Sequence, residues 1–193
     1  MSGLKNKVIG VAITGSFCTL TTTIEAIEML VNEGASVYTI LSQAVDSMDT
    51  KFGSADELKE QLTKVTGNRI ITTIPSAEPI GPGRLLDAIV VLPATGNTIA
   101  KISAGIADST TSFAVKSQLR NGGPIILGIS SNDALAAGAK NIGKLLNTKN
   151  IYFIPFGQDD YVNKPTSIVF KKEYVVPAVC EALEGRQVQP LLV

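Results

Sequence analysis

The chain has 193 residues and balances 17 Lys plus Arg against 17 Asp plus Glu, so no overall field draws it to nucleic acid or to an anionic membrane surface. It contains no histidine and no tryptophan, which excludes a Ser-His or Cys-His catalytic pair, a His-ligated metal and an imidazole acid or base, and leaves little aromatic surface for stacking bases. A hydrophobic fraction of 45% predicts one domain over 1–193 with a substantial core, while the longest apolar runs, AIVVL at 88–92 and PIILGI at 124–129, are too short to span a bilayer.

In chain order, MSGLKNKVIGVAITG reads as the start of a domain rather than a signal peptide, with a strand at 7–13. Further strands are predicted at 35–41, 68–74, 87–92, 124–129 and 150–156, each a short run rich in β-branched residues. Between the first two, TTTIEAIEMLVNEG at 21–34 places Ile24, Ile27 and Val31 on one helical stripe, with Gly34 where a C-terminal cap belongs. A second amphipathic helix is predicted at 54–67, with Ser54 and Glu57 as a capping box and Gly67 as its stop. Others follow near 97–107, 111–121, 132–147 and 173–184. The segment PSAEPIGPGRLLD at 75–87 breaks this rhythm; it reads equally as a surface connection or as a substrate or subunit contact. Nearly all-apolar strands alternating with helices predict an α/β fold: an open, parallel, three-layer sheet of about six strands with helices on both faces. Two cysteines, Cys18 and Cys180, without spacing that suggests a bridge or a metal site, fit a cytoplasmic protein.

Ligands of open α/β sheets bind beyond the carboxyl ends of the strands. The residues there are of one kind: Thr14, Gly15 and Ser16; Ser42 and Gln43; Pro93, Ala94, Thr95, Gly96, Asn97 and Thr98; Ser130, Ser131, Asn132 and Asp133. Small hydroxyl and amide side chains beside helix starts are how a neutral site holds a phosphate. Each loop by itself reads equally well as helix capping. The run from Gly10 to Ser16 imitates a P-loop, but Ser16 stands where that motif needs Lys. A dinucleotide site lacks its glycine fingerprint and the acidic residue after the second strand. A mononucleotide with a terminal phosphate fits better, and FMN brings its own reactivity to a chain without histidine.

AITGS after the first strand, together with PATGNTIAK at 93–101, resembles the homo-oligomeric flavoprotein family that includes flavin-dependent cysteine decarboxylases and flavin prenyltransferases. AEPIGP at 77–82, TGNTIAKISAGIADS at 95–109, GISSNDAL at 128–135, NTKNIYFIPFGQDD at 147–160 and the ending EGRQVQPLLV are similar to one branch of it, the B subunits of the dipicolinate synthases of spore-forming bacteria. The resemblance implies a flavodoxin-like fold, a trimer or a larger shell such as a dodecamer, and FMN near a subunit interface. By position, Gly15, Ser16 and Ser42 would hold the phosphate region with Thr95 and Thr98, and Asn97 would lie near the isoalloxazine. Thr14, Ala94 and Ser130 complete the expected cofactor set. The family's decarboxylases use a histidine and a Met-Asn substrate clamp; this chain has neither there. Related B subunits place a histidine after T-G-S, where this chain has Phe17.

The implied function is two-electron oxidation of a dihydrodipicolinate-type precursor to dipicolinate in the mother cell during sporulation, with a separate A subunit carrying the nicotinamide site. The catalytic residues are left unassigned. For a small dicarboxylate substrate, the loop-borne cations are Arg84, Lys101 and Lys164, each also readable as surface charge. Lys101, one turn beyond Asn97, is preferred, and Asn132 is the second substrate candidate. Asp159 and Asp160 read as a polar turn or as a cation site or base, and Cys18 as a reactive thiol or a small buried hydrophobe. A non-catalytic scaffold binding a phosphorylated ligand and a flavin prenyltransferase are the alternative functions.

Overall fold

The structure is a computed structural model describing residues 3–193. Its centre is a parallel sheet of β1 (Val8–Ile13), β2 (Ser36–Leu41), β3 (Ala88–Ala94), β4 (Ile125–Ser131) and β5 (Ile151–Phe153), in the spatial order β2-β1-β3-β4-β5. Two short strands, β6 (Phe156–Gly157) and β7 (Ile168–Phe170), add an antiparallel extension through Ser130 and Ser131 of β4.

Alternation of side chains along the buried strands divides the core in two. Val11, Ile13, Val90 and Ile126 face α1 (Leu20–Asn32), α3 (Ala55–Thr66) and α8 (Val175–Leu183), meeting Ile27, Leu30, Leu62 and Val179. Ala12, Ile89, Val91 and Leu127 face the opposite layer of α5 (Gly96–Ala104), α6 (Thr110–Arg120) and α7 (Ala139–Leu146), meeting Ile99, Ala114, Val115 and Leu145. The expected three-layer architecture with helices on both faces is therefore what the chain forms.

Three local expectations need correction. The segment 68–74 is no strand: Ile71 makes a single bridge to Ile40, and the Asn68 amide donates to the Val37 carbonyl (2.9 Å), taking an acceptor that a ladder would use. Thr73 then caps α4 (Ile74–Ala77), with Pro75 in its first turn, and ends any extended run. The predicted strand at 150–156 divides in two around Ile154 and Pro155, because proline cannot donate to a ladder. The helix expected from 132 begins only at Ala139; residues 133–138 form a turn in which the Asp133 carbonyl accepts from Ala136 and Gly138. The irregular stretch after Pro75 runs mostly along the surface, as one of its two readings expected, and is anchored there: Ala77 and Ile80 are buried, and the Asn121 side chain at the end of α6 donates to the Gly81 carbonyl.

Leaving β1, the chain first builds β2 on one side and then crosses to build β3 on the other. This reversal opens a crevice beyond the carboxyl ends of β1 and β3. On the far side of β2, α2 (Gln43–Ser47) and α3 follow. The capping box predicted for α3 is formed: Ser54 Oγ accepts from the Glu57 amide (3.2 Å) and the Glu57 carboxylate accepts from the Ser54 amide (2.9 Å). Ser54→Ala removes one half of this exchange and is expected to cost about 1 kcal/mol, read as a lower urea midpoint at unchanged slope; an unchanged midpoint would show that α3 is held by packing alone.

Candidate functional site

The crevice is tied across its floor by hydroxyl groups. Thr14, 2% exposed, donates from Oγ1 to the Pro93 carbonyl at 2.6 Å and lies 3.3 Å from Thr95 Oγ1, joining the loop after β1 to the loop after β3. Thr95 is the N-cap of α5, accepting from the Thr98 amide, so the following first-turn amides lack intrahelical partners. Ser16 Oγ meets Ser130 Oγ at 3.0 Å, which connects the first loop to β4 as well. Gly96 allows the close approach of α5 to the loop after β4: a Cβ there would stand 2.7 Å from Asp133 Oδ1 and 2.9 Å from Ser131 Oγ.

Two cavities flank this tie and share Gly15 and Thr95. The larger, about 540 Å³, lies on the β2 side and is lined by Thr14, Ser42, Asn97, Thr98 and Lys101 among others. The smaller, about 270 Å³, lies on the β4 side and takes in Ser16, Ser130, Asn132 and Lys164. The expected cofactor residues thus gather around one crevice, except Ala94, which is fully buried at the end of β3 and lines neither cavity.

Of the expected substrate residues, Lys101 and Asn132 fall into different cavities. Lys101 does not project a free charge: its ammonium donates to both Asp108 oxygens, at 2.8 and 3.0 Å. That contact holds the Asp108 carboxyl below its usual range. Asn132 supports the β7 approach, its carbonyl accepting from Thr166 (2.6 Å) and its side chain from Ser167 (3.3 Å). Lys164 stands 3.8 Å from Asp159 at the smaller cavity. The hydroxyl of Ser167 holds the Asp159 carboxyl below its ordinary value. Asp160 is a turn residue, accepting from the Asn163 amide at 3.0 Å. Arg84 is remote from these loops, since it is exposed and precedes β3, at the opposite end of the strand.

Cys18 is exposed at the smaller cavity, 3.8 Å from Ser16 Oγ, so the reading of it as a buried hydrophobe does not hold. Phe17 packs against the core on the α1 side and lines a separate groove there. Sequence reasoning passed over Asp108, Ser109, Thr111 and Ser112, which wall the larger cavity at the start of α6. Their signal was the Ser109-x-x-Ser112 capping box, which the structure forms. One group is conspicuous. Ser42 Oγ, at the larger cavity, is buried with no hydrogen-bond partner among the described residues and does not cap α2. A buried hydroxyl left unpaired costs about 1–3 kcal/mol, an expense that a polar ligand would remove.

The charge state of this wall is testable. The folded pKa of Asp108 lies below its unfolded value, so the pair with Lys101 contributes fully above the usual carboxylate range and is lost as pH falls through the depressed value. Asp108→Asn is therefore expected to lower the urea midpoint at neutral pH, and its curve should converge on the parent's at about pH 2. A gap that persists in acid would assign the effect to something other than the ion pair.

A profile of the Flavoprotein family matches residues 2–173. The chain is 44% identical to the B subunit of dipicolinate synthase of Bacillus subtilis over 193 residues, covering 100% of this chain and 96% of that one. The crystal structure of the dipicolinate synthase B subunit from Bacillus halodurans superposes with a TM-score of 0.91 at 40% identity, over 98% of this chain and 97% of that one. The fold extends to a dodecameric FMN-dependent UbiX-like decarboxylase from Escherichia coli, with a TM-score of 0.62 at 18% identity over 91% and 92% of the two chains. The family match runs from β1 through β7 and so takes in every loop that lines the two cavities: the chain belongs to the Flavoprotein family.

Proposed function

We propose that this chain, as one flavoprotein-like domain over 1–193, binds FMN in the crevice between β1 and β3 and serves as the B subunit of a dipicolinate synthase. The observation that carries the FMN reading is the unpartnered, buried Ser42 Oγ at a cavity of about 540 Å³ walled by hydroxyls and helix-start amides. Thr14, Gly15, Ser16, Ser42, Thr95, Asn97, Thr98 and Ser130 would hold the cofactor. Such a wall suits a phosphate bound by N-H and O-H donors, because the one cation among its described residues, Lys101, is neutralised by Asp108. Ala94 would contribute through the backbone only.

When bound, FMN supplies two-electron redox chemistry that no side chain here can provide. The chain's own residues position and shield. Thr14 fixes the two phosphate-side loops relative to each other, and the neighbouring cavity with Asn132 and Lys164 accepts a small dicarboxylate. The redox step would be two-electron oxidation of a dihydrodipicolinate-type precursor, with the nicotinamide site of a separate A subunit as the electron acceptor. Homo-oligomers of the trimer or dodecamer kind agree with the dodecameric relative. The charged groups lining both cavities are already paired, Lys101 with Asp108 and Lys164 with Asp159, and this favours a second reading in which the chain holds a phosphorylated ligand and stabilises its A partner without catalysis.

Purified protein is expected to be yellow and to release one FMN per chain on denaturation, while a colourless protein that takes up no FMN on titration would support the scaffold. Ser16→Asp places like charge on the loop after β1 that the two cavities share through Gly15 and is expected to weaken FMN binding at least about tenfold, or about 1.4 kcal/mol; unchanged affinity would put the phosphate away from this loop. Dipicolinate formation measured with and without the A subunit, and with and without FMN, separates the redox role from the structural one.

A further inference from the structure

Two surfaces outside the crevice are incomplete in complementary ways. The first lies between α2 and α3, where Met48 and Phe52 are 53% and 56% exposed, large apolar side chains on a connection rather than in a core. Lys51 Nζ stands 5.1 Å over the Phe52 ring. Around them the chain is acidic, with carboxylates at Asp46, Asp49, Asp56, Glu57 and Glu60 against lysines only at Lys51 and Lys59. Lys59 is engaged with Asp46 and Asp56, and Asp49 and Glu60, in no ion pair among the described residues, add negative charge.

The second surface is the outer side of α6. A shallow depression of about 680 Å³ has Phe113 and Leu119 as its apolar floor and Lys116 and Arg120 at its edges. Ile106, 47% exposed, extends the apolar area next to Ala107. Lys116 and Arg120 are four residues apart and share one helical face, a spacing at which like charges repel. Among the described residues neither is in an ion pair. An apolar floor ringed by two unpaired cations is completed by an apolar group that brings carboxylates with it.

We propose that the two surfaces are the halves of one contact between copies of this chain: the Met48–Phe52 connection of one copy inserts into the α6 depression of the next, its carboxylates opposite Lys116 and Arg120. The halves lie at different places on the molecule, one beyond edge strand β2 and one on the α6 layer, so the contact is heterologous. Each copy then offers one projection and one socket, and repetition closes a ring when the rotation permits. The proposal deepens the self-association in the functional reading above by naming its surfaces. It does not depend on FMN, since neither Phe52 nor Arg120 lines the crevice.

The test is the molar mass of the full chain by light scattering over a concentration series. The parent is expected to be an oligomer, and Phe52→Asp and the double variant Lys116→Glu, Arg120→Glu to be monomers with the parent's far-ultraviolet circular dichroism; Phe52→Ser serves if the aspartate variant misfolds. An equimolar mixture of the projection variant and the socket variant retains one intact half from each and should give a dimer that neither forms alone. Parent mass retained by either variant, or a mixture that stays monomeric, overturns the assigned surfaces. A monomeric parent overturns self-association itself and leaves the FMN assignment standing.

Discussion

The parallel pairing of β1 with β3 is the constraint from which the site follows. Its register sets Ile9 against Ala88 and Ala12 against Val91, so Thr14 leaves β1 beside the last residues of β3 and meets Pro93 and Thr95 there. The hydrogen bond from Thr14 to the Pro93 carbonyl uses a backbone acceptor that the irregular end of the β3–β4 ladder leaves available. Sheet geometry and loop chemistry are thus a single arrangement: shifting the register would separate the two hydroxyls and turn the alternating core residues of β1 to the wrong faces.

The electrostatics of the crevice are nearly neutral by construction. Its charged groups cancel in pairs, and its remaining polar groups are hydroxyls and amides with fixed dipoles. A site of this kind gains selectivity for a phosphate through the direction of many weak donors rather than through one strong charge. It has little to offer as acid or base, in keeping with a chain that must borrow reactivity. Loops and sheet also touch directly, with Ser16, Ser130 and Gly96 bringing three segments within contact distance.

Much of this was legible in the sequence, for identifiable reasons. Continuous apolar runs at 88–92 and 124–129, short and rich in β-branched residues, suit strands covered on both faces, and the Ser54–Glu57 spacing suits a helix start. Thr14, Thr95 and Ser130 were recognisable because strand ends in this architecture face one edge. What escaped depended on tertiary partners. Composition favours a strand at 68–74, yet one side-chain amide and one capping threonine redirect it. Lys101 was placed correctly on its helix, but its partner Asp108 comes seven residues later through a turn that helical periodicity does not describe. Arg84 looked available as a loop cation until the strand direction put it at the opposite edge.

The failed strand at 68–74 has a role that its irregularity makes possible. β2 is the terminal strand of the parallel sheet, and its outer side would otherwise offer bare amides and carbonyls to any passing chain. Ile71 accepts from Leu41 and donates to Thr39, while Asn68 closes off Val37. A full extra strand there would only have moved the open edge outward by one position. A single bridge and a side-chain amide instead take up the outer carbonyls of Val37 and Thr39 and the outer amide of Leu41, and leave nothing periodic behind them, which works against runaway sheet extension.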